Sequence, residues 1–303
     1  MIKQNPFSVY DFLGYLVPGA LLIYIFLLVV NVKEAINKAA NKQLIINKAS
    51  TFDEGILDAV SNHFNNVNLD NLLIFIIIAY SIGHLLSFAS SISIEKYSNW
   101  KYGYPTLYIL GNQNVSYFSC PAKKYWKANL WKFVMLIFIL PIFLLDLILG
   151  SLFGLHVFYA KKLDPELINY ILRKVKLLLS KLDLPYRFDS DKFPEFDFHR
   201  IVTHYVFENS KQHQARMSNY VALYGFLRNL ALIFNILTWY LLYRLILWNG
   251  LFYSESDIYL LIIFSLVSYL SFMAFMKFYR RYTLEAFMLL VVDENLVEIK
   301  NKN

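Results

Sequence analysis

Five stretches of this chain are apolar over the length needed to cross a bilayer, and that feature constrains the fold more than any other. A helix needs about 20 apolar residues to span the hydrocarbon core. Four blocks meet this cleanly: Phe12–Val30, Leu72–Ile94, Leu230–Trp248 and Ile258–Met276. The fifth is FVMLIFILPIFLLDLILGSLFGL, Phe133 to Leu155. Hydrophobic residues make up 57% of the 303, above the roughly 45–50% of soluble domains. The surplus lies in blocks, which is the pattern of an all-α membrane protein with several spans. The N-terminus MIKQNPFSVYDF shows no basic run followed by a cleavage site, so the first block reads as a retained helix. A single cysteine, Cys120, excludes an internal disulfide.

Loop charge orders the spans, because Lys and Arg collect on the cytoplasmic side. From Lys96 to Lys132 there are six lysines and no acid, so that loop is expected inside. Residues 31–71 hold four lysines and five acids, and WNGLFYSESD at 248–257 holds two acids and no base, so both are expected outside. Residues 156–220 carry eleven basic and eight acidic residues and read as cytoplasmic again. The fifth stretch therefore has two cytoplasmic flanks. Pro141 removes a helical hydrogen bond near its middle, and Asp146 would be costly at mid-membrane. Gly150 and Gly154 weaken its second half. A broken re-entrant or in-plane segment that does not cross fits best, with an ordinary kinked span as the alternative.

The expected architecture is four transmembrane helices with both termini cytoplasmic. Residues 1–94 hold the first two spans and the outer loop at 31–71. Residues 95–220 form a cytoplasmic insert containing the segment at 133–155. Residues 221–303 hold the last two spans and a helical C-terminal extension, since no Gly or Pro occurs from Asp257 onward. That extension runs past Phe278, Tyr282 and Phe287. In the outer loop, FDEGILDAVSNHF places Phe52, Ile56, Val60 and Phe64 on one helical face. In the insert, TLYILGNQNVSYF suggests a small β-hairpin around Gly-Asn-Gln-Asn, and PELINYILRKVKLLLSKL a basic amphipathic helix.

No phosphate-cradling loop, zinc-protease pair or nucleophile elbow occurs, so the chain is not expected to be an enzyme or to carry a cofactor. His199 and His204 are five apart, poor spacing for one metal ion, and read as ordinary polar positions. Ala79, Gly83, Ser87 and Ser91 recur every four residues, which lets helix backbones approach closely either between subunits or within one. His84 lies beside that face. Asn235 and Thr238 on one span, and Ser265, Ser268 and Ser271 on the next, suit a pore lining or interhelical hydrogen bonds equally. KKYWKANLWK combines Lys123, Lys124, Lys127 and Lys132 with Tyr125, Trp126 and Trp131. Such a run suits anionic headgroups, or alternatively a nucleic-acid or nucleotide ligand.

DFLGYLVPGALL (11–22), SIGHLLSFASSISIE (81–95), RMSNYVALYGFLRNLALIF (216–234) and FYRRYTLEAF (278–287) resemble segments of nucleotide-controlled channel effectors in bacterial anti-phage defence, of the Hailong type. The resemblance implies a homo-oligomeric inner-membrane channel whose cytoplasmic region binds a nucleotide or DNA-oligomer signal. It supplies no ligand residue. A non-conducting membrane anchor that recruits a soluble partner protein is the reading from another class.

Overall fold

The structure is a computed structural model and describes residues 11–25, 69–111, 117–118, 126–183, 198–247 and 255–296. These are helical apart from short turns, with no strand among them. The helices are α1 (Phe12–Ile25), α2 (Leu69–Ser90), α3 (Lys96–Lys101), α4 (Pro105–Ile109), α5 (Trp126–Phe138), α6 (Leu140–Leu145), α7 (Pro165–Lys181), α8 (Phe198–Asn209), α9 (Gln214–Leu247) and α10 (Glu255–Val292). Contacts divide the chain into Met1–Phe88 and Ala89–Asn303.

Three helical stretches are long and apolar enough to cross a membrane: Leu72–Ile109, Lys211–Ile246 and Ile258–Val292. The chain thus reads as a membrane protein, as its blocky hydropathy requires. The count becomes four if α5 and the helix after it are one broken span. Within the described residues α1 is a shorter apolar helix, and the expected helix at Phe52–Phe64 lies outside them.

In the Ala89–Asn303 unit, α9 and α10 form the principal helix pair. Across their seam Ser268 meets Ala231, Phe234 packs on Phe264 and Tyr224 on Phe275, while Ile246 and Leu270 remain exposed on outer surfaces suited to lipid. The α10 helix runs unbroken past Phe278, Tyr282 and Phe287, as the absence of Gly and Pro predicts. It also contacts α4, α6, α7 and α8. The α7 helix buries Ile171, Val175, Leu178 and Leu179 on one side, the face its periodicity predicts. Its Lys174 donates to the carbonyls of Asp293 and Leu296 beyond the end of α10 (2.7 and 2.8 Å).

One expectation is overturned. The first strand of the proposed hairpin, within Thr106–Leu110, is instead the helical turn α4. Pro105 sits in its first turn, where the missing N–H costs nothing. Gly111 ends it with φ +80. Asn112–Ser116 lie outside the described residues.

In the Met1–Phe88 unit, small residues bring α1 and α2 together. A methyl group added to Gly19 would run into the Ala79 carbonyl and lie 2.8 Å from the Gly83 nitrogen. One added to Gly83 would run into the Tyr15 carbonyl and lie 2.8 Å from its Cα. Ala79 and Gly83 therefore serve a backbone approach within the chain. Beside that contact His84 stacks on Tyr15, with centroids 3.8 Å apart, and meets Tyr80 edge-on at 4.6 Å. Ser87 and Ser91 are half-buried.

Candidate functional site: a buried carboxylate beside a helix break

The apolar segment at 133–155 is broken where its sequence demands. The axes of Trp126–Phe138 and Leu140–Leu152 meet at 85°. Ile139 leaves helical geometry at φ -98, ψ 14, and Pro141 opens the next helix. A helix that ends in a membrane leaves carbonyls in need of donors. Here α9 supplies them. Asn235 Nδ2 donates to the Phe138 carbonyl at 2.9 Å, and Trp239 Nε1 donates to the same oxygen at 2.7 Å. The two residues are four apart and share a helix face. Two other polar groups on these spans are also engaged. Thr238 Oγ1 donates back to the Phe234 carbonyl at 2.7 Å, and Ser268 Oγ donates across to the Ala231 carbonyl at 2.8 Å. Ser265 is half-buried. Asn235, Thr238 and Ser268 are buried within the chain.

Five residues past Pro141 the chain enters a wider π-helical turn, Asp146–Leu152. Such turns often mark functional positions. Asp146 is 0% exposed, yet four side chains donate to it. Lys101 Nζ and Tyr97 Oη reach Oδ2 at 2.6 and 2.9 Å. Tyr159 Oη reaches Oδ1 at 2.7 Å. Tyr102 Oη lies between the two oxygens, at 2.8 and 2.9 Å, and 3.0 Å from the Tyr159 hydroxyl. Burial, followed by the adjacent carboxylate, holds the Tyr159 phenol far above its ordinary range, so it remains a neutral donor. Gly150 closes the cage. A methyl group there would run into Asp146 Oδ1 and lie 2.9 Å from the Tyr159 hydroxyl and 3.2 Å from that of Tyr269. The Tyr269 hydroxyl is buried beside Tyr159 without a hydrogen bond of proper geometry.

A second polar cluster lies around the other π-helical turn of this unit, Ser91–Glu95. Arg228 pairs with Glu95 and donates to Ser90 Oγ at 3.0 Å; Ser90 Oγ donates to Asn229 Oδ1 at 2.5 Å. Arg228 is thereby charge-balanced, as a buried guanidinium must be.

The basic aromatic run is divided in its use. Lys123 and Lys124 lie outside the described residues. Trp126 and Lys127 open α5 with their side chains exposed, and Trp131 is exposed as well. Lys132 instead turns inward. Its Nζ donates to the Tyr117 carbonyl at 2.7 Å and lies 5.5 Å from the Trp100 ring centre. The Tyr117 hydroxyl donates to the Lys132 carbonyl at 2.9 Å. His199 packs edge-on against Tyr282 and Phe287, and no group of three metal-ligating side chains occurs among the described residues.

No family model, curated protein or solved structure matches the chain. Its chemistry must be read from these clusters. Sequence patterning marks Asp146 only as an obstacle to crossing. Its partners lie 13 to 49 residues away and carry no motif. The usable signal is the lone acid inside an apolar stretch, which requires a buried cation or several donors nearby.

Proposed function

We propose that the chain is the conducting subunit of a homo-oligomeric ion channel or pore, gated through its cytoplasmic insert. The observation that carries this reading is the apolar segment broken by 85° with a fully buried carboxylate just past the break. Non-helical backbone at membrane depth is tolerated where protein covers it or where it borders a water path. Ionisable groups there serve ion paths, proton relays or gates. Asn235 and Trp239 cover the broken backbone from one side. In an oligomer, the remaining surface of the bent segment, with Ser265, would face neighbouring copies or the conduction path.

The same geometry favours a re-entrant course for 133–155. Lys132 lies before the break and Asp146 after it. In a straight helix they would be about 21 Å apart along the axis. Here they meet Trp100 and Lys101, adjacent residues of one helix. Both limbs thus return to nearly the same level of that helix. On this reading the two flanks share one side of a bacterial inner membrane, and both termini are cytoplasmic. Reporter fusions at residues 110, 170 and the C-terminus should all report cytoplasm, and one near residue 45 the exterior. Opposite sides for 110 and 170 would make the segment a true span.

The gating signal in this proposal is an anionic nucleotide or DNA oligomer at Lys123, Lys124, Trp126 and Lys127. It rests on the resemblance of sequence segments and on the unopposed lysines of that loop. The purified protein in a planar bilayer should show discrete current steps that increase when extract from phage-infected cells, or a panel of oligonucleotides, is added. A silent bilayer under both conditions would favour the non-conducting anchor that recruits a soluble partner.

A further inference from the structure

The geometry points to the Asp146 cage as a two-position clasp that holds the second limb of the bent segment against the helix bearing Tyr97, Lys101 and Tyr102, and that can pass the carboxylate to Tyr269 when this limb is released. The claim concerns movement of the limb and stands whether or not the protein conducts.

Three features support a clasp over a fixed structural bridge. Three of the four donors to Asp146 come from residues 97–102; the fourth, Tyr159, lies on the stretch that follows the limb. Withdrawal of the limb would therefore break the Tyr97, Lys101 and Tyr102 contacts together and leave the Tyr159 contact intact. The carboxylate sits at the start of a π-helical turn, a local departure from α-helical hydrogen bonding of the kind seen where helices shift register. Lastly, Tyr269 on α10 is 1% exposed, its hydroxyl lies beside that of Tyr159 without a hydrogen bond of proper geometry, and it borders the same Gly150 surface as Asp146 Oδ1 and Tyr159. Buried hydroxyls without partners are rare in folded proteins. A small shift of the limb toward α10 would give this one a partner. The released carboxylate would then keep Tyr159 and gain Tyr269, so it would not be left bare. Two arrangements of one segment, each with donors, are what a bistable element requires.

Ala160 reports on the limb, since it follows Tyr159 and is 7% exposed. The test uses full-length protein in detergent with Cys120→Ser and Ala160→Cys, and measures reaction with a charged maleimide. Labelling follows the released population when reclosing is fast. The parent should react slowly. Asp146→Asn, which removes the charge-assisted bond to Lys101, should speed labelling about tenfold or more. Lys101→Met should do the same, while Lys101→Arg, which keeps the charge, should stay near the parent rate. Tyr269→Phe should slow labelling, because it removes the second seat. Parent-like labelling in Asp146→Asn and Lys101→Met, with helicity and elution volume retained, would overturn the clasp. Unchanged or faster labelling in Tyr269→Phe would overturn the second position. Should Asp146→Asn fail to fold, Tyr97→Phe decides, with about a tenfold rise expected from loss of one hydrogen bond to a charged group that only the closed position makes and an unchanged rate counting against the clasp.

Discussion

Asp146→Ala is expected to destabilise the protein by about 3–5 kcal/mol, because it removes one partner of a buried ion pair and leaves the other without its counter-charge. Lys101 is the partner at risk. Its side chain is 19% exposed and lies 2.6 Å from the carboxylate. Its ammonium also lies 5.3 Å from the Tyr102 ring centre and 5.9 Å from those of Tyr97 and Phe143. Those rings offer weak compensation, of the order of 1 kcal/mol. Three tyrosine hydroxyls would lose their acceptor in the same step. Replacing both charges, as Lys101→Met with Asp146→Leu, should recover much of the loss, since an apolar pair need not be desolvated. Unfolding titrations of the single and double variants in mixed micelles would measure this. If the double variant is no better than Asp146→Ala, the tyrosines rather than the ion pair carry the stability of the cage.

What the sequence disclosed follows from the range of each interaction. The break at 133–155 is legible because Pro141 acts on its own helix within one turn. The course of α7 is legible because the buried side repeats with helical period. The short piece within Thr106–Leu110 is misread because Tyr and Ile favour strands, while the signals that decide it, Pro105 and Gly111, flank it on either side. The cage is illegible for a different reason. Tyr97, Lys101, Tyr102 and Tyr159 look like ordinary members of an aromatic, basic membrane protein until folding brings them to one carboxylate. The role of Asn235 is intermediate. Its depth leaves a pore lining and an interhelical hydrogen bond equally open, and only the fold shows that it donates to the carbonyl at the break.

Gly83→Leu should be the most damaging change in the Met1–Phe88 unit. A side chain there meets backbone atoms of Tyr15, which cannot rotate away as a flexible side chain could. Overpacking of this kind costs typically about 1–3 kcal/mol and can cost more where backbone is the obstacle. The contact is reciprocal, because Gly19 is pressed against Ala79 and Gly83 in turn. Neither helix can therefore yield locally, and α1 should separate from α2. The stacking of Tyr15 on His84 would be lost with it. A cross-link between single cysteines placed on α1 and α2 should form in the parent and fail in Gly83→Leu. Native mass, measured in parallel, addresses the other use of the small-residue face. If the cross-link fails while the oligomer persists, the glycine contact serves only the protomer. If the cross-link forms normally while the mass falls, the face at Ala79, Gly83, Ser87 and Ser91 belongs to the subunit interface, and the close approach of Gly83 to Tyr15 is not what the substitution disturbs.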